Sequence, residues 1–217
     1  DDEDEMQPPA AVEPLEPAGE KLPRVLYFDL ETRKLATEVG GWKNCHLMRV
    51  SVASVYDSRE EKFFTFSEER LDELFGLLAG ADLVVGFNIK RFDFPVLRPY
   101  TTMALDRLPV FDILEDIHRR LGFRLGLGHL AEQTLGRGKS ADGLQAVAWF
   151  RAGEMEKLAE YCRRDVEVTR DLFLHGVEKG HVIYRRKGVD VPVRLPVDWD
   201  IEKIIMNMVS GNVPGPE

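Results

Sequence analysis

Cysteine is scarce in this sequence, with only Cys45 and Cys162 among 217 residues. Two cysteines in unrelated contexts suggest neither a disulfide framework nor a zinc site, and we expect a reducing, intracellular compartment. Long hydrophobic runs are missing as well, since no apolar stretch approaches the roughly 20 residues of a membrane-spanning helix. The first residues also lack the basic and then apolar pattern of a secretory signal. We therefore expect a cytoplasmic protein that does not associate with membranes.

Basic residues are absent from the first 20 positions, which hold eight acidic residues. The whole chain has a formal net charge of −9, but the rest of it contains 29 basic and 30 acidic residues and is nearly neutral. The acidic total therefore says little against a polyanionic substrate. Equally, the composition does not support a broadly basic surface for nucleic acid.

The composition divides the chain into a tail and a folded part. Residues 1–23 are acidic and rich in proline and alanine, so they cannot bury enough apolar surface to order themselves. We predict a disordered tail or linker there, which could tether another domain or a protein partner. A single domain is predicted over 24–195, followed by a C-terminal extension over 196–217.

The apolar patterns place three strands first and then alternate strands with helices. Strands are predicted at 24–31, 46–57, 61–66, 82–87 and 109–114. Helices are predicted from Ser67, as a capping residue, to about Ala79, near 92–101 and over 154–177, with a small hairpin over 181–194. This order predicts an α/β fold in which a mixed sheet, a three-strand antiparallel meander plus parallel strands, is flanked by helices.

Two carboxylates lie inside the apolar run of the first strand, "RVLYFDLETR" at 24–33. Side chains alternate along a strand, so Asp29 and Glu31 share one face with Val25 and Tyr27. Two like charges on a half-buried face repel each other and resist desolvation. A divalent cation is the simplest compensation.

Two further segments place acidic residues where burial of their charge is energetically unfavourable. Asp93 follows the buried strand at 82–87, and Tyr161 and Asp165 lie four residues apart on an inward helix face. Four carboxylates converging at one end of the sheet would suit two hard cations, Mg²⁺ or Mn²⁺. Such a pair can clamp a phosphodiester, and the hydroxyl of Tyr161 could position or help deprotonate an attacking water.

Each of these segments also has a simple structural interpretation. Asp29 and Glu31 could end a strand at a solvated edge, Asp93 could cap a helix, and Asp165 could pair with a neighbouring arginine. Three separate structural explanations would have to be true at once. A single site shared by these residues is the simpler explanation.

Three motifs, "FDLET", "NIKRFD" and "YCRRD", resemble the exonuclease motifs of the DEDD 3′–5′ exonucleases, which have a ribonuclease H-like fold. They match the patterns D-x-E, N-x-x-x-F-D and Y-x-x-x-D, in that order, across most of residues 24–180. Glu160 stands where the sister branch has histidine, so the sequence resembles the tyrosine (DEDDy) branch. That branch includes the proofreading domain of family B DNA polymerases. "LGRGKSADGLQAVAWF" at 135–150 is similar to small bacterial relatives, which implies a bacterial cytosol.

The resemblance implies a role for each acidic residue. Asp29, Glu31 and Asp165 would bind a first metal ion, and Asp29 would also bridge to a second ion held by Asp93. Tyr161 would orient the nucleophilic water.

The resemblance also implies contacts to the substrate. Asn88 and Phe92 would contact the terminal nucleotide, and the backbone around Thr32 would accommodate the 3′ end. The implied activity is a two-metal 3′–5′ exonuclease that releases nucleoside monophosphates from single-stranded DNA or RNA, DNA favoured, with DNA repair as its setting. A catalytically inactive nucleic-acid-binding or scaffolding module of the same fold is the main alternative, and an endonuclease of this fold is another.

Other sequence features receive structural interpretations. "GLGHLA" at 126–131 fits a dinucleotide-binding pattern, but a helical pattern precedes it where a strand is needed. Asp112 is assigned a hydrogen-bonding role, and Trp149 and Phe150 are assigned to the core. Candidate phosphate contacts are Lys90, Arg91, Arg119, Arg120, Arg163, Arg164 and residues 185–187.

Overall fold

A five-stranded mixed sheet forms the centre of the computed structural model, which describes residues 22–137, 143–186, 188 and 191–210. The strands lie in the order β3-β2-β1-β4-β5. They are β1 (Val25–Thr32), β2 (Val50–Asp57), β3 (Lys62–Ser67), β4 (Leu83–Gly86) and β5 (Val110–Asp112). The first three strands pair antiparallel, while β1, β4 and β5 are parallel. The predicted meander plus parallel strands is confirmed.

Helices flank this sheet, and a small hairpin follows the longest of them. The α-helices in the described ranges are α1 (Leu71–Ala79), α2 (Asp93–Leu97), α3 (Ile113–Leu121), α4 (Leu127–Leu135), α5 (Gly143–Arg151), α6 (Met155–Lys179) and α7 (Ile201–Val209). The hairpin pairs β6 (His181–Arg185) with β7 (Pro192–Pro196), as predicted. Within these ranges, no helix combines the length and apolar character that crossing a bilayer requires.

The alternation along β1 divides the interior into two cores. Leu26 and Phe28 face a cluster that includes residues of α1 and α2, while Val25 and Tyr27 face a cluster with α6 and the hairpin. Packed residues cover both faces of β1. Carboxylates near the C-terminal end of this strand are therefore partly shielded from water.

Two predicted boundaries are wrong near the second and third strands. The strand predicted from residue 46 begins at Val50, because Arg49 has a left-handed φ of 60° and the preceding Trp42–Leu47 forms 3₁₀ turns. Ser67 ends β3 and makes no capping hydrogen bond, and the helix starts only at Leu71. Between β3 and this helix, Glu68 forms an ion pair with Arg49 at 2.7 Å.

The fifth strand is also shorter than predicted. It ends at Asp112, whose carboxylate accepts hydrogen bonds from the amides of Leu114 at 3.0 Å and Glu115 at 3.2 Å. Capping by this side chain starts α3 at Ile113, so the apolar pair after Asp112 is helical.

The segment after the hairpin packs on the second core. Trp199 is buried, stacks on Phe173 with ring centroids 5.7 Å apart, and donates its indole N–H to Asp116 at 2.8 Å. Ile204 of α7 joins the same cluster. Of the predicted tail, residues 1–21 lie outside the described ranges.

Two helical glycines provide a matched test of this packing. A Cβ on Gly176 of α6 would lie 2.0 Å from the Trp199 ring, whereas a Cβ on Gly76 of α1 would meet nothing within 4 Å. We expect Gly176→Ala to lower the free energy of unfolding by about 1–3 kcal/mol through overpacking. Gly76→Ala should raise it by about 0.5–1 kcal/mol through helix propensity.

Urea unfolding of the two variants measures this difference. A Gly176→Ala protein as stable as Gly76→Ala would contradict close packing of α6 against Trp199.

Candidate metal centre and its surroundings

The first two site residues come from the end of β1. Asp29 pairs with Ser54 of β2 and Glu31 with Val52, and the register slips between Glu31 and Thr32. Both carboxylates are half-buried and lie on the same face of the strand. The strand therefore places two acidic side chains where α6 crosses the sheet.

The third acidic residue comes from α6. One carboxylate oxygen from each of Asp29, Glu31 and Asp165 lies within 4.8 Å of the other two. We call these three residues the acidic cluster. On the same helix, the buried Cys162 lies with its Sγ 3.5 Å from the backbone oxygen of Asp29. Residues more than 130 positions apart in the chain thus share one pocket.

Asp93 lies beside the acidic cluster in the first turn of α2. Its side chain is buried, and its Oδ1 accepts a hydrogen bond from the amide of Leu30 at 3.1 Å. Leu30 lies between Asp29 and Glu31, so this bond ties α2 to the strand that carries the cluster.

Electrostatics in this pocket are unfavourable without a cation. Burial raises the pKa of Asp29 and of Glu31 well above their ordinary values, and the neighbouring carboxylates raise both further. Burial also raises the pKa of Asp93 to about 8. In the part of the chain that the structure describes, neither Asp29 nor Glu31 has a lysine or arginine partner.

The buried carboxylate of Asp57 behaves in the opposite way. Burial alone would raise the pKa of Asp57, but hydrogen bonds from Arg24 and from nearby amides lower it below its ordinary value. Asp29 and Glu31 have no such arginine partner among the described residues, and the acidic cluster offers only oxygen ligands. Its donors therefore fit a hard divalent cation.

Tyr161 closes one side of the acidic cluster. Its ring packs edge-on against Trp149 of α5 with centroids 5.7 Å apart, and its hydroxyl is hydrogen-bonded to Asp165. Burial raises the pKa of Tyr161, and the three cluster carboxylates raise it further. The phenol therefore stays protonated at neutral pH and can donate a hydrogen bond.

The three predicted substrate contacts lie at the end of β1 and in the segment that follows β4. Asn88 has a left-handed φ of 69° and accepts a hydrogen bond from Arg124 at 2.6 Å. Phe92 is half-buried next to Asp93, and Thr32 is buried and donates to the backbone oxygen of Lys34 at 2.9 Å.

Sequence patterns missed several neighbours of the site. Trp149 and Phe150, predicted as core, are only half-buried: Trp149 contacts Tyr161, and Phe150 lies 4.9 Å below the guanidinium of Arg33. Arg124 had no motif to mark it. Helical spacing places Trp149 and Phe150 on α5, but nothing local indicates that α5 packs against the site.

Asp112, the "GLGHLA" segment and the candidate phosphate contacts lie mostly within the described residues. Asp112 has the predicted hydrogen-bonding role, since it also accepts from the amide of Asn88 at 2.8 Å. The "GLGHLA" segment leads into α4 and follows α3, so no strand precedes it.

Among the candidate phosphate contacts, Lys90 pairs with Glu115 at 2.5 Å, and Arg119 and Arg120 pair with Asp116. Lys187 lies outside the described residues.

The mixed sheet and its acidic cluster define a class of protein. Residues 26–175 match the model of the RNase_H_2 family, of the RNase H superfamily, and this chain belongs to that superfamily. The match runs from β1 into α6 and includes every residue of the acidic cluster. Membership suggests a nuclease.

Solved structures share the fold, and 75 chains match significantly. One is the family B DNA polymerase from the hyperthermophilic archaeon Pyrobaculum calidifontis, at a TM-score of 0.53 and 18% identity. The similarity covers 74% of this chain but only 26% of the polymerase, so this chain spans about a quarter of that protein. At this identity the likeness establishes the fold alone. No curated protein matches the sequence.

Proposed function

We propose that this chain is a metal-dependent 3′–5′ exonuclease acting on single-stranded nucleic acid, with DNA favoured. The observation that carries the proposal is the convergence of Asp29, Glu31 and Asp165 within 4.8 Å, beside a tyrosine hydrogen-bonded to Asp165. Superfamily membership and the three exonuclease-like motifs support the same activity. The domain would comprise residues 24–195, with 1–23 as a tether and 196–217 as an extension.

The acidic residues would hold the metal ions in this mechanism. Asp29, Glu31 and Asp165 would bind one Mg²⁺ or Mn²⁺, and Asp29 and Asp93 would hold a second. Bound ions of this kind supply charge stabilisation for the attacking and leaving oxygens of a phosphodiester. Tyr161, whose hydroxyl is hydrogen-bonded to Asp165 and stays protonated, would orient the attacking water through a hydrogen bond.

The surrounding residues would position the strand. Asn88 and Phe92 would contact the terminal nucleotide, and the backbone at Thr32 would face the 3′ end. The bond from Arg124 would keep the Asn88 side chain in place.

Incubation with 5′-labelled DNA and RNA oligonucleotides, with Mg²⁺ or Mn²⁺, tests the activity. We expect a ladder shortened from the 3′ end, released nucleoside monophosphates, and no attack on circular or 3′-blocked strands. Retention of full-length DNA and RNA by folded protein would contradict the proposal. Cleavage of circles would identify an endonuclease instead.

A milder defect is expected for Tyr161→Phe. The change removes the hydroxyl but leaves every carboxylate of the acidic cluster, so metal binding should survive. We expect kcat to fall roughly 10- to 100-fold through poorer positioning of the water. Steady-state kinetics and Mn²⁺-induced thermal shifts measure the two effects. A complete loss equal to that of an Asp29 variant would argue against a positioning role.

A further inference from the structure

An exposed tryptophan stands next to the proposed substrate contact Phe92. The side chain of Trp42 is 71% exposed, and its ring meets that of Phe92 edge-on, with centroids 5.7 Å apart and planes at 66°. Tryptophan is usually among the most buried side chains by area. Trp42 therefore presents an open aromatic face at the border of the site.

The segment around Trp42 is well held. Two of its side chains, Cys45 and Met48, are buried in the first core. The side-chain Nδ2 of Asn44 donates to the backbone oxygen of Val39 at 2.8 Å, which closes the loop on itself. A ring on such a segment is already in position, so a ligand that stacks on it loses little free energy to ordering.

The aromatic pair is next in the chain to Asp93, the residue that ties α2 to β1. Phe92 precedes Asp93, and Asp93 accepts the hydrogen bond from the amide of Leu30, which lies between Asp29 and Glu31 on β1. Phe92 is thus a neighbour of Trp42 through ring contact and of Asp93 through the chain.

Positive charge accompanies the aromatic rings. Lys43 follows Trp42 and Arg91 precedes Phe92, both are exposed, and neither forms an ion pair with any other described residue. By contrast, Lys90 beside them is paired with Glu115. Open aromatic faces with available cations are the combination that proteins use to bind single strands, by stacking on bases and contacting phosphates.

We infer that Trp42, together with Phe92, is a stacking site for an unpaired nucleobase of the strand whose 3′ end enters the acidic cluster. The inference rests on the proposed function and narrows its substrate class to strands whose 3′ end is unpaired. A fully paired blunt end offers no free base face to the indole.

Binding without turnover tests the stacking site. Anisotropy of 5′-fluorescein oligothymidylate is measured with Ca²⁺, a hard oxygen-binding cation, after confirming that the strand stays intact. We expect Trp42→Ala to weaken binding about fivefold or more, the loss that one stacked base predicts. Trp42→Phe should keep most of the affinity because it keeps an aromatic face.

Leu174→Ala provides the matched control. Leu174 is an exposed apolar residue of α6, 41% exposed and about 20 Å along the helix from Tyr161, and its loss should leave binding unchanged. With Mg²⁺, the Trp42→Ala defect should appear in KM for oligothymidylate, and blunt duplex should be a poorer substrate of the native protein.

The binding and shortening assays together distinguish a failure of the stacking site from a failure of the exonuclease proposal. If the native protein shortens 3′ ends but Trp42→Ala binds as tightly as Leu174→Ala, the stacking site is wrong and the exonuclease proposal stands. If the native protein neither binds nor shortens any strand, the proposed function fails and the stacking site fails with it.

Discussion

Asp29→Asn should abolish divalent-cation-dependent shortening of a 3′ end while making the metal-free protein more stable at pH 7. Asp29 is a ligand in the proposed mechanism, so its loss should cost about 10³-fold or more in kcat, equivalent to several kcal/mol. In the absence of metal the same carboxylate is destabilising, because burial and three neighbouring carboxylates raise its pKa. Neutralising it should raise the free energy of unfolding by roughly 1–2 kcal/mol, since one pKa unit corresponds to about 1.4 kcal/mol.

Asp57→Asn is the matched control for this prediction. Asp57 is likewise a carboxylate of the central sheet, fully buried, but it pairs with Arg24 at 2.5 Å. Removing its charge should lower the free energy of unfolding by about 2–3 kcal/mol, less than for a fully buried pair because Arg24 is partly exposed. Urea unfolding in EDTA and the oligonucleotide assay in Mn²⁺ provide both readouts. An Asp29→Asn protein that is destabilised like Asp57→Asn and still active would show that Asp29 is structural.

Mn²⁺ should raise the melting temperature of the native protein, by an amount that grows with pH. Binding at 100 times the dissociation constant stabilises the folded state by about 2.7 kcal/mol, which corresponds to roughly 5–10 °C for a chain of this size. The ions replace protons on the acidic cluster, so their apparent affinity increases as the carboxyl groups ionise. Asp29→Asn should lose most of this shift, whereas Tyr161→Phe should retain it.

The metal-free protein should show the opposite pH trend. The pKa of Asp93 is raised to about 8, and those of Asp29 and Glu31 are raised as well. Between pH 5 and 8 the folded state therefore keeps protons that the unfolded chain has already released. Stability falls as pH rises through this window, by about 1.4 kcal/mol per pH unit for each proton retained.

Thermal melts at pH 5.5 and 8, in EDTA and in Mn²⁺, measure both trends together. Metal-free stability that rises over this window would contradict the assignment of raised pKa values to these carboxyl groups. A Mn²⁺ shift that is the same at both pH values would argue that the ion binds elsewhere.

The strands of the sheet could be predicted because each depends on the alternation of neighbouring residues in the sequence. The two-residue alternation of β1 places Leu26 and Phe28 on one face and Tyr27 and Asp29 on the other, whatever the rest of the chain does. Boundaries were predicted less well where one residue overrides the pattern. The left-handed Arg49 and the capping carboxylate of Asp112 are such cases.

The sequence by itself determined which face of β1 carries Asp29 and Glu31 and which face of α6 carries Tyr161 and Asp165, because strand and helix periods are properties of neighbouring residues. Only the tertiary structure decided that Trp149 packs on Tyr161, that Arg124 holds Asn88, and that Trp42 stands open beside Phe92. Those contacts join helices, strands and loops that are far apart in the sequence. The hydrophobic period of a segment shows which of its faces is buried, but it does not show which other segment packs there.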